Sequence, residues 1–201
     1  APCNTDWTSY FTTTPDSIMM TAGDDCRTVN TFASCQMVLG DGGVTQISFD
    51  FEVAGTCHGN LGTAWLAFWI YSIPWSNQVE VDFVESKYGP AAGGLNTNFA
   101  GQGNQVVLFD ANSTAPWMGS ITANFSGTGS AVEVSVKNTV NGNVGTTTLA
   151  TNTGYFFVMD TAPGTTATDC TISVSNVQAV GSVASTSLPN NCEGLTISPN
   201  P

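Results

Sequence analysis

Glu80, Asp82 and Glu85 fall within the six-residue stretch Glu80-Val81-Asp82-Phe83-Val84-Glu85, and nowhere else in the 201-residue chain do three carboxylates crowd so closely. Like charges at that spacing disfavour one another's ionised form and raise at least one pKa. Such a difference separates acid from base. A carboxylate that stays ionised can attack an electrophilic centre such as the anomeric carbon of a sugar, while a neighbour held protonated near neutral pH donates to the departing oxygen. The plain alternative is a solvated strand face whose acids serve solubility. It has less to recommend it here, because Lys87 is the one cation close in sequence.

The residues interleaved with the acids are β-branched or aromatic, as are Val79 before them and Phe68, Trp69, Ile70 and Tyr71 upstream, so the stretch reads as a strand. Successive strand residues point to opposite faces, which puts Glu80 and Asp82 on one side and Val81 and Phe83 on the other. Strict alternation would turn Glu85 toward the apolar side, where an unpaired carboxylate is costly. One extra residue at Phe83-Val84, a β-bulge, returns it to the face of the other two. The run Thr63 to Tyr71 is almost continuously apolar, as expected for a strand covered on both faces, and Pro74-Trp75 turns the chain back toward the acids. At least one of Trp65 and Trp69 is expected in the core. Trp75, and after it Trp69, suits a stacking platform for the apolar CH face of a sugar ring.

Short strands fill the rest of the chain. Ser17 to Thr21 precedes the loop Ala22-Gly23-Asp24-Asp25-Cys26; a turn at Gly40 to Gly43 separates Gln36-Met37-Val38-Leu39 from Thr45 to Val53. In that last run Ile47, Phe49, Phe51 and Val53 face inward, and Asp50 and Glu52 outward. Further strands are expected at 95–99, 105–109, 121–125, 131–136, 155–159 and 170–177, with a hairpin turn at Asn141-Gly142. No helix of useful length, internal repeat or phosphate loop interrupts them. About a dozen short strands with regular turn signals predict an all-β sandwich or jelly roll over residues 1–181. The Ser-, Pro- and Asn-rich tail 182–201 is expected to run over the surface, tethered by Cys192.

Charged residues make up 9% of the chain and the formal charge is −12, with only Arg27, Lys87 and Lys137 as fixed cations. That excludes a basic surface for nucleic acid. Six cysteines (Cys3, Cys26, Cys35, Cys57, Cys170, Cys192) without a C-x-x-C pair, and a single histidine, read as disulfides of an oxidising compartment, not a zinc site. Cys26 with Cys35 and Cys170 with Cys192 are close enough for local staples, but sequence does not choose among the connectivities. No apolar run spans a membrane, and the chain reads as the mature form of a secreted protein. His58 lies in a loop beside Cys57 with no nucleophile elbow anywhere, so it reads as a polar loop residue. Asp24 and Asp25 could serve a structural calcium, though two acids in a Gly loop are more often a turn. No cofactor is otherwise expected. Asn112-Ser113-Thr114 and Asn124-Phe125-Ser126 are glycosylation sequons.

Trp65-Leu66-Ala67-Phe68-Trp69, followed by the turn and Glu80-Val81-Asp82-Phe83-Val84-Glu85, resembles the tryptophan strand and E-x-D-x-x-E signature of glycoside hydrolase family 16. The resemblance covers about residues 45 to 100 and, more loosely, 154 to 180. It implies a concanavalin-like jelly roll of two curved antiparallel sheets with a concave cleft. By the same resemblance Glu80 is the nucleophile, Glu85 the general acid and base, Asp82 the residue that modulates the nucleophile, and Asn98 a polar substrate contact. Val79 stands where many members carry Gly and Leu66 where Pro is frequent, which bears on substrate more than on chemistry. The function so implied is a secreted, monomeric, retaining endo-glycosidase acting on a β-linked polysaccharide, foremost a β-1,3- or mixed-linkage β-1,3-1,4-glucan. The alternatives are a transglycosylase of the same family and a non-catalytic, lectin-like glycan-binding sandwich.

Overall fold

Runs of alternating apolar and polar residues settle as strands because each can bury one side and solvate the other. The computed structural model describes residues 11–14, 16–21, 32–33, 37–55, 65–72, 76, 78–86, 94–99, 105–110, 112–113, 116–128, 131–150, 154–162, 170–181 and 197–198. Among these lie β1 (Phe11–Thr14), β2 (Ser17–Thr21), β3 (Phe32–Ala33), β4 (Val44–Ala54), β5 (Trp65–Ser72), β6 (Glu80–Glu85) and β7 (Leu95–Asn98). They continue with β8 (Val106–Phe109), β9 (Trp117–Ser126), β10 (Val132–Asn138), β11 (Val144–Leu149), β12 (Tyr155–Ala162), β13 (Thr171–Gly181) and β14 (Ile197–Ser198), and no helix occurs among the described residues.

The strands form two sheets. One runs β1-β2-β13-β4-β9-β10-β11 with β14 also on β13, and the other runs β3-β12-β5-β6-β7-β8. Every pairing is antiparallel except that of β14, whose Ile197 and Ser198 lie parallel to Ala179 and Val180. The expected all-β jelly-roll sandwich is what forms. Its core is the facing apolar sides: Ile47, Phe49, Phe51 and Val53 of β4 are all buried, as are Phe68 of β5 and Phe83 of β6. The Phe49 ring meets Phe68 and Phe83 edge-on across the two sheets, at centroid distances of 4.9 and 5.6 Å. Each such buried side chain contributes about 1.5–3 kcal/mol of transfer free energy.

Some elements differ from the expectation in extent. Met37 and Leu39 make only isolated bridges, to Tyr155 and Val44, although the turn between Gly40 and Gly43 closes as expected with a 2.9 Å hydrogen bond. The β10–β11 hairpin forms at the Asn-Gly signal through a longer loop, in which Gly142 takes a φ of 75° and Asn141 Nδ2 donates to the Val107 carbonyl at 2.8 Å. Cys170 is disulfide-bonded, and the other five cysteines lie outside the described residues, as do Asp24, Asp25 and His58.

On the outer face of the larger sheet Asp50 ties three strands together. The Ser120 hydroxyl of β9 donates to its Oδ1 at 2.5 Å, and Asn176 Nδ2 of β13 donates to its Oδ2 at 2.7 Å. Asn176 sits at the β13 bulge with a φ of 53°, a left-handed conformation that Asn tolerates. The Ser120 bond first, and then the Asn176 bond, hold the Asp50 carboxyl below its ordinary value against the opposing effect of burial. A depressed carboxyl contributes stability that is present above its unfolded pKa and is lost as pH falls through the folded value. Asp50→Asn is therefore expected to cost about 1 kcal/mol at neutral pH, the difference from wild type shrinking in acid below the ordinary Asp range. Urea denaturation of both proteins between pH 7 and pH 3 measures this, and a gap that does not shrink in acid contradicts it.

Candidate functional site

The ladder between β5 and β6 determines which side chains share a face. Tyr71 lies opposite Glu80, Ile70 opposite Val81 and Trp69 opposite Asp82; then Phe68 lies opposite Val84 and Ala67 opposite Glu85. Phe83 is the residue in excess, so β6 carries a bulge at the expected place. Opposed residues of paired strands project to the same side. Tyr71, Trp69 and Ala67 alternate along β5, so Glu80, Asp82 and Glu85 all stand on one face of the six-stranded sheet. Phe83 and Val84 both enter the core, each with no exposed surface, and the Phe83 ring lies 6.2 Å from that of Phe68.

Neighbouring polar groups hold the bulge. The hydroxyl of Thr97, buried on β7, donates to the Phe83 carbonyl at 2.8 Å. Just past Glu85, the Ser86 amide donates to the Leu66 carbonyl at 3.0 Å, while the Leu66 amide donates to Ser86 Oγ at 2.9 Å. The backbone on both sides of Glu85 is thus fixed by buried side chains.

The other flank of the carboxylates is an amide row. Asn98 of β7 lies opposite Asp82 and Asn96 opposite Glu85, so both amides share the acid face. Asn98 also reaches along the diagonal, donating from Nδ2 to Glu85 Oε2. Burial deepens along β6: Glu80 is half-buried, whereas Asp82 is 6% and Glu85 4% exposed. Asn96 and Asn98 are buried beside them.

On the β5 side, the half-buried rings of Trp69 and Tyr71 lie side by side, with centroids 4.9 Å apart and planes inclined by 33°. Trp69 was expected here; Tyr71 was not singled out, although its position two residues on, at strand period, is the signal that places it. Asn96, Thr97 and Ser86 were likewise missed, because their roles depend on register. Trp75 and Lys87 lie outside the described residues, and Lys137, the one described Lys or Arg, is exposed on β10 of the other sheet. Among the described residues no group of three or more His, Cys, Asp or Glu is arranged to hold a metal ion.

The arrangement sets a half-buried carboxylate, a buried carboxyl five residues further on and an acid between them beside a pair of aromatic rings. It can bring carboxyl groups in unequal surroundings, one half-buried and two buried, to the same ligand.

No known family profile matches the sequence, and no curated protein does. Solved structures similar to this chain include the alginate lyase AlgAT5 from polysaccharide lyase family 7, at 10% identity and a TM-score of 0.48 over 85% of this chain and 81% of that one. Another is peanut lectin, at 11% identity and a TM-score of 0.44 over 83% and 89% of the two chains. A third is lectin UEA-II, at 13% identity and a TM-score of 0.45 over 81% and 86%.

Proposed function

We propose that this chain is a secreted, retaining endo-glycosidase that hydrolyses a β-linked polysaccharide, foremost a β-1,3- or mixed-linkage β-1,3-1,4-glucan. The observation that carries the reading is the Phe83 bulge. It sets Glu85 on the same face as Glu80 and Asp82, at the cost of sending two consecutive apolar residues into the core. A strand with no use for that third acid on that face would not require it.

In the double displacement, the half-buried Glu80 carboxylate attacks the anomeric carbon while Glu85 protonates the departing glycosidic oxygen; a water then enters as Glu85 takes its proton. Burial favours the neutral carboxyl that the acid step needs, and Asp82, between the two, orients Glu80 by a hydrogen bond or shared proton. The two working carboxyls of such a mechanism stand about 5–5.5 Å apart in the complex, so both long side chains lean toward the scissile bond. Trp69 and Tyr71 form the platform on which a sugar ring stacks, Trp75 is the third ring proposed for it, and Asn98 is the proposed polar contact to the sugar hydroxyls.

Reducing-sugar release from laminarin, lichenan, agarose and xyloglucan tests the reading. Release from laminarin or lichenan supports it. Binding without release favours the lectin-like alternative, and longer products without net release favour a transglycosylase. The platform has its own test: Trp69→Ala and Tyr71→Ala are each expected to weaken oligosaccharide binding by about 1–3 kcal/mol. Titration calorimetry on the inactive Glu80→Ala background reads this, and unchanged affinity in both folded variants removes the platform.

A further inference from the structure

Asn98 lies opposite Asp82, yet its side chain amide is spent on Glu85, one position further along the diagonal. Both partners are almost wholly withdrawn from solvent, Asn98 at 3% and Glu85 at 4% exposure. An amide nitrogen carries only donor hydrogens, so the Glu85 oxygen that it engages, Oε2, is an acceptor in both protonation states of the carboxyl. The carbonyl-type oxygen of a carboxylic acid is the stronger acceptor, so this bond favours the acidic proton on Oε1.

We infer that Asn98 is a positioning residue for the proton donor: it selects which Glu85 oxygen carries the proton and holds that oxygen toward the leaving group. This rests on the hydrolase reading above and deepens it, since Asn98 then acts through Glu85 and not only on substrate hydroxyls. A glutamic acid has three side chain torsions, and a proton free to sit on either oxygen is delivered from the wrong one part of the time. Fixing the carboxyl from its far oxygen restricts both freedoms before substrate arrives. The same N–H, given to the carboxylate, favours its ionised form, opposing burial and the like charges of Asp82 and Glu80 on its own strand. From β5 the facing positions are Ala67, Trp69 and the Tyr71 phenol, and from β7 the uncharged Asn96 and Asn98. Asp160 of β12 holds the register position beyond Ala67.

The test compares wild type, Asn98→Ala and the near-isosteric Asn98→Asp on two substrates, laminarin and a dinitrophenyl β-glycoside of its disaccharide. Protonation matters for the sugar leaving group and hardly at all for dinitrophenolate. In Asn98→Ala, kcat/KM is expected to fall about 10–100-fold on laminarin and less than about threefold on the aryl glycoside. The alkaline limb of kcat/KM on laminarin should move to higher pH in Asn98→Ala, and at least as far in Asn98→Asp, where a second carboxyl must share the proton. A carbon-detected NMR titration of the Glu85 carboxyl, which needs no turnover, should move the same way. Equal loss on both substrates with an unmoved limb and titration overturns the inference, because a merely structural Asn98 would give that pattern. A wild type silent on laminarin, lichenan, agarose and xyloglucan sinks the hydrolase reading and this role with it; the NMR titration then still separates that failure from the absence of the Asn98–Glu85 bond.

Discussion

Glu80→Ala should lose hydrolysis by roughly 10⁴-fold or more, and azide with an activated β-glycoside should restore turnover and give the α-glycosyl azide. The product configuration is what makes the experiment decisive. Without the Glu80 carboxylate no glycosyl-enzyme forms, and azide enters the vacated space in a single inverting displacement. Glu85→Ala should behave differently: with the same activated substrate the first step proceeds, a glycosyl-enzyme accumulates for want of a base, and azide resolves it to the β-product. The α-product from the Glu85 variant would exchange the two roles, and full activity in both variants would refute the enzyme reading. The asymmetry in burial agrees with the assignment, since Glu80 is the more open of the two and Glu85 is 4% exposed.

Phe83→Ala should cost about 3–5 kcal/mol, the range for removing a fully buried aromatic ring from a core that cannot close over the space. Phe83 meets Phe49 of the opposite sheet and Phe68 of its own, so the cavity would open at the junction of the two layers. For a chain of this length that corresponds to a fall in melting temperature of roughly 6–20 °C. Calorimetry reads it directly, and a fall of only a degree or two would mean that the ring is not the anchor of the bulge. Activity at a temperature where the variant is folded should also drop, because Phe83 lies between Asp82 and Glu85 in the strand that sets their spacing.

The bulge was legible in the sequence because two requirements conflicted there. Glu80 and Glu85 are five apart, opposite in parity, while Phe83 and Val84 are adjacent and both apolar; only an extra residue satisfies acids out and hydrophobes in. The β4 alternation was legible for the same reason. Tyr71 was harder to see because β5 is apolar on both sides, so nothing in its pattern says which face meets the core. The Asn98–Glu85 bond runs along a diagonal and depends on the register of two strands joined by a long connection, which local spacing does not fix. β1 has no signal in the sequence because Phe11-Thr12-Thr13-Thr14 does not alternate, and the start of β9 at Trp117-Met118-Gly119 is hidden because Gly119 breaks the pattern. That glycine is required by packing: a Cβ there would stand 2.7 Å from Val140 Cγ2 and 3.3 Å from the Phe51 ring.

The place of β13 between β2 and β4 governs how the molecule is assembled. Thr171 pairs with both Thr21 and Ala54, so strands made early find their partner only after more than a hundred further residues have been joined to the chain. At about 5–20 residues per second of synthesis, the edge of β4 that pairs with β13 waits roughly 6–23 s for that partner. By contrast β5, β6, β7 and β8 are neighbours in both sequence and sheet, and their hairpins can close as they emerge. The carboxylate strand is thus built from short-range contacts, while closure of the sandwich is the slow, long-range event. The nascent chain carries its acid-bearing hairpins before it has the core that makes them rigid.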